Sequence, residues 1–536
     1  MTSEEENHSS KRWFDWRIQV GLLFATGLLI RIYYTPFELP ITLDGSQYFW
    51  YAVDTSILGE LSKSHNFPNN GWPVFLSIIF NIVNPDTFLD FHITQRLSSI
   101  ILSTATIIPI YLICRRLFNW KIALIGSAIF VFEPRLILNS TSGLPEALFI
   151  LLFTISIYLF LSDNFKKIYI AFGLVALVSL IRYEGFLLIF PFFVLLFFKF
   201  GIKKKNILKY VLSLGIFILI LLPMMYLRTE SSVEVMDFEL NEPVKADGVV
   251  SHVVVGAEFF LLEKENTITN QIVNGITNMS KFIGWQMIPY LFFFIPIGII
   301  YFFRNFNLDK KIILICTIIM LIPAFYAYSR EFNESKYLFV MMPFMSIVAS
   351  SFIEKLVIKT TRKNLIIVLL IIGIIMAGII FLEYKKIDHK YEIEAYQIGI
   401  KISGITNVIN DYDPESKYLN EKIAKASILD EFPVLFSKIP DKMTVIQGVN
   451  GGETFGCDAC YEAKSITVFL DSARNEGLEY LLVDNNPKRP EFMKDIRENE
   501  LKYPYLEKIY DSRDDGFTYH VKIFKINYEK FDNLAK

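Results

Sequence analysis

The feature that most constrains this chain is a series of long apolar runs in residues 1–382. Apolar residues make up 53% of the 536 residues, above the share in ordinary soluble domains. A helix needs about 20 such residues to cross about 30 Å of hydrocarbon. Eleven stretches approach this length, near residues 17–35, 92–113, 121–138, 146–162, 168–181, 185–200, 207–227, 281–303, 311–328, 336–357 and 363–382. The pattern predicts a polytopic α-helical membrane protein with about eleven transmembrane helices.

Basic residues collect at alternate ends of these runs. Lys11, Arg12 and Arg17 precede the first run, and Arg115 and Arg116 follow the second. Because cytoplasmic loops carry an excess of Lys and Arg, the N-terminus is expected in the cytoplasm. The first run continues too far for a signal peptide and is expected to be a retained helix in a multi-pass cell-membrane protein. An odd number of crossings then places the C-terminal part outside, and one missed helix would reverse this.

The first outer loop is predicted at about residues 37–91 and contains its own short apolar segment. GWPVFLSIIFNIV, residues 71–83, is about thirteen residues long and too short to span. We expect a helix lying flat along the outer interface, with Trp72 at the level of the lipid headgroups.

Residues 383–536 differ from the rest by a charged, mixed composition. Four segments there are typical of strands: MTVIQGV, YLLVD, YLEKIYDS and YHVKIFKI. Asp515-Gly516 lies between the last two and predicts a hairpin turn. The sequence therefore predicts a soluble extracytoplasmic α/β domain after the transmembrane domain of residues 1–382.

Cysteine and charge content exclude several classes of protein. Four cysteines cannot form a disulfide framework, but Cys457 and Cys460 would face the oxidising side, where a structural disulfide is predicted. The net charge of −2 provides no basic field for nucleic acid. No metal-ligand cluster is recognisable, so neither a metal nor another cofactor is expected to be required.

Two acids at helix starts are candidate catalytic residues. Asp44 follows the first helix in LPITLDGSQYFWYA, and Glu146 opens the fourth in NSTSGLPEALFILLF. Asp44 could act as a general base for an incoming hydroxyl, or it could be a solvated carboxylate that starts a helix. Glu146 could join it, or it could simply stabilise the positive end of its own helix.

Three cations in the predicted outer turns are candidate phosphate ligands. Arg182 belongs to SLIRYEGF, and Arg330 and Lys336 belong to YSREFNESKYLF. Arginine forks match phosphate oxygens, so such residues could hold the phosphate of a lipid. The alternative is that they reach toward ordinary headgroups at the interface.

The order of these segments resembles the GT-C glycosyltransferases, in particular the dolichyl-phosphate-mannose-protein mannosyltransferase-like branch. The resemblance spans roughly the first 360 residues. It rests on LDGSQYFWYA, NNGWPVFL, QRLSSIILSTATIIPIYLICRRLFNWKIALIGSAIF, SGLPEALF, ALVSLIRYEGFLL and SKYLFVMMPF.

The resemblance implies an inverting transfer of a monosaccharide from a polyprenyl (dolichyl) phosphate. Asp44 matches the family's catalytic aspartate in the first loop, and Glu146 matches an acidic position that orients the acceptor or assists the base. The implied partners are the lipid-linked sugar, the bilayer, and a protein or lipid-linked glycan as acceptor. The tail has no WWDYG-like motif, which argues against transfer of a whole glycan to asparagine.

Two other classes of function remain open from the sequence. A polytopic transporter or lipid flippase would also have many spans, but it would place ionisable residues at mid-membrane depth. The predicted runs contain few charges, Glu133 and Arg135 being the nearest exceptions. A binding module on a membrane anchor is the other class, although an anchor needs one helix rather than eleven.

Overall fold

A computed structural model of the chain places a helical bundle before a small sheet domain. It describes residues 16–41, 44–61, 70–241, 268–304, 306–332, 334–406, 436–437, 465–475, 478–485 and 491–535. Helices of the N-terminal half are α1 (Trp16–Tyr33), α2 (Asp44–Leu58), α3 (Gly71–Val83), α4 (Phe88–Ala105), α5 (Ile107–Leu117), α6 (Trp120–Val131), α7 (Pro134–Thr141), α8 (Glu146–Phe160), α9 (Phe165–Ile181), α10 (Ile189–Phe200) and α11 (Lys204–Asn241). The bundle continues with α12 (Ile268–Gln286), α13 (Leu291–Arg304), α14 (Leu308–Met320), α15 (Ile322–Ser329), α16 (Met342–Ile358) and α17 (Lys363–Lys385).

The predicted count of eleven crossings is not confirmed. Within the described ranges, six helical segments are long and apolar enough to cross a membrane, or up to eight if each of two bent pairs is one span. Helix α8 contains 15 residues, which at about 1.5 Å per residue is shorter than the hydrocarbon layer. The sequence shows the apolar run, but it does not show where the helix within that run bends or ends.

Both bent pairs break at a charged or polar junction inside the bundle. Helices α6 and α7 meet at 50°, and α12 and α13 meet at 110°. Glu133 accepts hydrogen bonds from the first backbone N–H groups of α7 and pairs with Arg135 at 3.1 Å. Arg135 donates to the carbonyls of Trp285 and Ile288 at the second break. One buried ion pair therefore joins the two breaks.

The short helix of the first predicted outer loop forms where expected. Helix α3 has the predicted bounds, but Trp72 is fully buried rather than placed at headgroup level. Its indole N–H donates to the carbonyl of Gly143 at 3.2 Å. The prediction for Trp72 was wrong because the side chain packs against protein, which the sequence of an isolated amphipathic helix does not reveal.

The tail contains a four-stranded antiparallel sheet in the order β1-β2-β4-β3. Its elements are α18 (Lys390–Thr406), β1 (Phe436–Ser437), α19 (Ile466–Asn475), β2 (Leu478–Asp484), α20 (Glu491–Glu498), β3 (Leu506–Asp511), β4 (Val521–Ile526) and α21 (Tyr528–Ala535). Three predicted strands and the hairpin at Gly516 are confirmed, since β3 pairs with β4 and Gly516 has φ +80°. The MTVIQGV segment lies outside the described residues.

Helices cover both faces of this sheet. Ala395 and Ile398 of α18 pack with Val521 and Ile523 on one face. On the other face, Phe524 packs in a cluster with residues of α19, α20 and α21. Burial on both sides explains the apolar content of β4, and it gives the tail a core of its own.

Candidate functional site

Asp44 begins α2 at one end of the bundle and contacts a lysine from a distant part of the chain. Its carboxylate accepts a hydrogen bond from the Lys336 ammonium at 2.5 Å. Lys336 also pairs with Glu334 at 2.5 Å. We call Asp44, Lys336 and Glu334 the aspartate cluster. More than half of the Asp44 side chain is exposed, whereas Lys336 is 19% exposed, so the carboxylate lies where an incoming molecule can reach it.

A second group of charges lies deeper. Arg182, directly after α9, donates to Glu146 at 2.6 Å and to Glu184 at 2.8 Å. We call these three residues the arginine cluster. Glu146 opens α8 as predicted, but only 4% of its side chain is exposed, and its Oε2 atom has no hydrogen-bond partner among the described residues. A buried carboxylate oxygen in this position is ready to accept a hydrogen bond from a ligand.

A narrow cavity lies between Lys336 of the aspartate cluster and the arginine cluster. It has a volume of about 20 Å³, and its charged lining consists of Glu146, Arg182, Glu184 and Lys336. Phe149, Tyr337 and aliphatic side chains provide the rest of the wall, and Asp44 is not among the lining residues. Charged side chains of both signs therefore converge on one small space.

Tyr48 lies near charged residues of both clusters and was not singled out from the sequence. It follows Asp44 by one helical turn, and the charges of both clusters act on its phenol. Burial raises the pKa of Tyr48 to about 12. The phenol therefore keeps its proton at neutral pH and can donate a hydrogen bond within the site.

Three polar residues on one face of α4 hold the backbone around Asp44. Arg96 donates to the carbonyls of Pro36, Leu39 and Pro40, just before the aspartate. Gln95 donates to the carbonyl of Gly45 at 3.1 Å.

His92 completes this face. Its Nδ1 accepts a hydrogen bond from the N–H of Ile41 at 3.1 Å, and its ring stacks on Phe49 at 3.7 Å. These residues were not predicted as part of the site, although their spacing of three and four along the helix places them on one face.

Gln286 helps to position Lys336 of the aspartate cluster. It ends α12 at the second break and donates to the carbonyl of Ser335 at 2.7 Å. Ser335 directly precedes Lys336, so the break that Arg135 holds also positions the lysine. No local sequence pattern predicts this contact, because the two residues are 49 positions apart.

The remaining predicted site residues are placed elsewhere. Arg330 follows α15 with its guanidinium over the Tyr326 ring, at 5.6 Å from the centroid, and it is not among the residues that line the cavity. Cys457 and Cys460 lie outside the described residues. In the described part of the chain, no three His, Cys, Asp or Glu side chains come together in a way that could hold a metal ion.

Part of the chain matches a family model. Residues 75–226 match dolichyl-phosphate-mannose-protein mannosyltransferase. Glu146, Arg182 and Glu184 fall within this segment, whereas Asp44 and Lys336 lie outside it. No curated protein sequence matches the chain.

Solved structures share the fold over most of the chain. The apo oligosaccharyltransferase of Archaeoglobus fulgidus aligns with a TM-score of 0.53 and 13% identity, covering 88% of this chain and 70% of that chain. The oligosaccharyltransferase AglB of the same organism, in complex with an inhibitory peptide and a dolichol-phosphate, aligns with a TM-score of 0.51 and 12% identity, covering 92% of this chain and 73% of that chain. ArnT from Cupriavidus metallidurans bound to undecaprenyl phosphate aligns at 0.46 and 12%, covering 76% and 74%.

The apolar helices and the shared fold make this chain a multi-pass membrane protein. The resemblance seen in the sequence is confirmed: residues 75–226 match the model of the dolichyl-phosphate-mannose-protein mannosyltransferase family, and the chain shares its fold with the oligosaccharyltransferase of Archaeoglobus fulgidus.

Proposed function

We propose that this protein is an inverting glycosyltransferase that moves a monosaccharide from a polyprenyl phosphate to an acceptor hydroxyl. The observation that carries the proposal is the position of an exposed Asp44 carboxylate beside Lys336, which in turn lines a narrow cavity with Glu146 and Arg182. A base for the acceptor hydroxyl and a nearby cation for the leaving phosphate are parts that such a transfer needs.

The reaction assigns a role to each charge. The acceptor oxygen attacks C1 of the sugar and forms the new glycosidic bond, while the bond from C1 to the phosphate oxygen breaks. Asp44 takes the proton from the acceptor hydroxyl, and the phosphate leaves with the bonding electron pair. Because the attack comes from the side opposite the phosphate, the configuration at C1 is inverted.

Lys336 is the cation best placed for the phosphate. It lines the cavity and contacts Asp44, so a donor sugar that enters between the two side chains would present its phosphate to the ammonium and the opposite side of C1 to the carboxylate. Arg182 also lines the cavity, but two carboxylates already occupy it, and we assign it to the electrostatic support of Glu146 and of the sugar. Arg330 stays a predicted phosphate ligand with weaker support, since it packs over Tyr326.

The resemblance supports the choice of donor. The family model is named for a dolichyl-phosphate-mannose donor, and the related AglB was solved with a dolichol-phosphate. We therefore take mannose as the first sugar to test. The acceptor in this proposal is a protein or a lipid-linked glycan, and the missing WWDYG-like motif favours transfer of one sugar over transfer of a whole glycan.

The basic residues set the topology in this proposal. The N-terminus lies in the cytoplasm, residues 1–382 form the catalytic membrane domain, and residues 383–536 form a domain on the outer side, which requires an odd number of crossings. Asp44 then opens toward that side, where the acceptor arrives.

One observation favours the second candidate, a transporter or flippase. Arg31, Glu133 and Arg135 are buried inside the bundle beside broken helices, as in many transporters. However, Arg31 donates to backbone carbonyls and to Ser103, and the other two bind each other. These contacts are explained by the helix breaks alone, so glycosyl transfer remains the leading proposal.

The test measures transfer or release of sugar from labelled dolichyl-phosphate-mannose by the purified full-length protein. Asp44→Asn should lower turnover by about a hundredfold or more, because an amide cannot accept the acceptor proton. Asp86→Asn changes an exposed acid in the same predicted loop and should keep wild-type turnover.

Each outcome has a distinct meaning. Equal turnover by wild type and Asp44→Asn would overturn the assignment of the base. If the wild type is inactive with mannose and with other polyprenyl-phosphate sugars, but moves the intact lipid across vesicle membranes, the flippase alternative replaces the proposal.

A further inference from the structure

A second cavity opens on the surface of the bundle, and none of its lining residues belongs to the proposed reaction. It is a groove of about 410 Å³ between α1 and α5. Its lining consists of Trp16, Arg17, Val20, Gly21, Phe24, Ile108, Tyr111 and Leu112. Arg17 is the one charged residue in this lining, and no side chain packs near Gly21, where an added Cβ would meet nothing within 4 Å. The groove is therefore a long apolar slot with a cation at one end.

Aromatic and basic residues mark that end. Trp16 and Tyr111 stack with ring centroids 5.0 Å apart, and the Arg17 guanidinium lies 5.5 Å from the Trp16 ring centre. Arg115 follows Tyr111 by one turn on the same helix face and is exposed. Tryptophan, tyrosine and arginine at the end of apolar helices are typical of the headgroup level of a membrane.

The groove also faces the lipid. Ile18 and Leu22 beside it on α1 and Ile108 on α5 are among the exposed large apolar residues. Since α1 leads from this end of the bundle to the end that carries Asp44, the groove and the aspartate cluster open at opposite ends. A ligand here would not compete directly with the proposed donor site.

We propose that this groove binds an anionic phospholipid, with one acyl chain along Val20, Gly21 and Phe24 and the phosphate between Arg17 and Arg115. The apolar length accommodates hydrocarbon, and the two guanidinium groups complement a negative headgroup. This inference is independent of the proposed glycosyl transfer.

Lipid titration of the purified full-length protein in detergent, read by native mass spectrometry, tests the proposal. The wild type should retain phosphatidylglycerol in preference to phosphatidylcholine. Gly21→Leu should fill the slot and abolish retention of both, whereas Arg17→Gln should weaken only the phosphatidylglycerol complex by about fivefold, the contribution of one basic residue at an anionic surface.

Two control variants carry the same kinds of substitution outside the groove. Gly215→Leu fills similarly open space on α11, and Arg304→Gln removes an exposed arginine from the end of α13. Both should retain phosphatidylglycerol as the wild type does. Binding that is unchanged in Gly21→Leu would overturn the proposal, as would equal retention of the neutral lipid or tighter retention of dolichyl phosphate. Binding that appears only after removal of residues 1–15 would assign the groove to that segment instead.

Discussion

Arg182 makes two charged contacts in a place where water hardly reaches. Its partners Glu146 and Glu184 have side chains that are 4% and 9% exposed. Removing one member of a buried ion pair is costly because the other charge remains without a partner. The arginine cluster is thus a structural requirement of the cavity wall as well as a part of the proposed site.

Arg182→Met should lower the free energy of unfolding by about 3–5 kcal/mol, since two buried carboxylates lose their cation. Chemical denaturation of the detergent-solubilised protein measures the change. Arg116→Met is the matched control, because Arg116 pairs with Asp309 at the same 2.6 Å but is 37% exposed. That variant should lose about 0–1 kcal/mol. Similar losses in both variants would contradict the role of burial.

Helix α4 acts as the element that fixes the approach to the base. Arg96, His92 and Gln95 bind backbone groups on both sides of the loop that leads into Asp44. Gly45 adds to this fit, because a Cβ there would lie 2.8 Å from the carbonyl oxygen of Ser142. Contacts of the neighbouring backbone therefore fix the place from which the Asp44 side chain projects.

Arg96→Lys should reduce kcat by about tenfold while the KM for the donor changes little. Lysine keeps the positive charge, but it lacks the planar guanidinium that binds several backbone carbonyls at once. The Asp44 carboxylate would then shift slightly, and a small shift of a catalytic group lowers the rate of the chemical step. Steady-state kinetics with dolichyl-phosphate-mannose give both constants. Ser98→Ala on the same helix removes only a hydrogen bond to Thr94 of that helix and should match the wild type. A rise in KM alone would show that Arg96 serves donor binding instead.

The sequence predicts individual charged residues of the candidate site, but it does not predict which of them contact each other. Asp44, Glu146, Arg182 and Lys336 stand out because charges at the ends of apolar runs are costly without a use. The Lys336–Asp44 contact joins residues 292 positions apart, and no local pattern specifies such a contact. The polar face of α4 was missed because it lies within a run whose apolar content determined the interpretation, and Tyr48 was missed because its segment was interpreted only through Asp44.

At the scale of the whole molecule, α18 joins the bundle to the sheet domain. Glu394 accepts hydrogen bonds from the backbone N–H groups of Thr518 and Tyr519 and from the Thr518 hydroxyl. Burial alone would raise the pKa of Glu394, but these hydrogen bonds hold it below its ordinary value. Lys401 adds an ion pair to Asp515 at 2.7 Å, and the hydrogen bonds from Lys401 and Tyr510 also lower the pKa of Asp515.

Acidification should therefore loosen α18 from the sheet. A carboxylate whose pKa is lower in the folded state than in the unfolded state stabilises the folded state. This stabilisation is complete at pH values above the unfolded pKa of about 4, and it is lost as the pH falls through the lower pKa of the folded state. Hydrogen exchange at Thr518 and Tyr519, corrected for the intrinsic rate, should accelerate over this range. The double variant Glu394→Gln, Asp515→Asn should exchange faster at neutral pH and show little of this acid response. An unchanged acid response in that variant would assign it to other carboxylates.

The fold class followed from the sequence, while the number of crossings did not. Apolar runs identify helices that a bilayer can hold, and alternation identified strands β2, β3 and β4. The bends are set by tertiary contacts, such as those of Arg135 with Trp285 and Ile288. A run interrupted by such a bend has the same composition as a straight helix, so hydropathy alone does not establish the number of spans.

The junction at Arg135 also constrains the order of synthesis. Because a ribosome makes the N-terminus first, Arg135 is produced 150 residues before the carbonyl group of Trp285 that it will bind. Until then its guanidinium has Glu133 but lacks those acceptors, and lipid supplies no substitute. The first half of the bundle cannot reach its final arrangement while it is being translated, and its maturation waits for the second half to arrive.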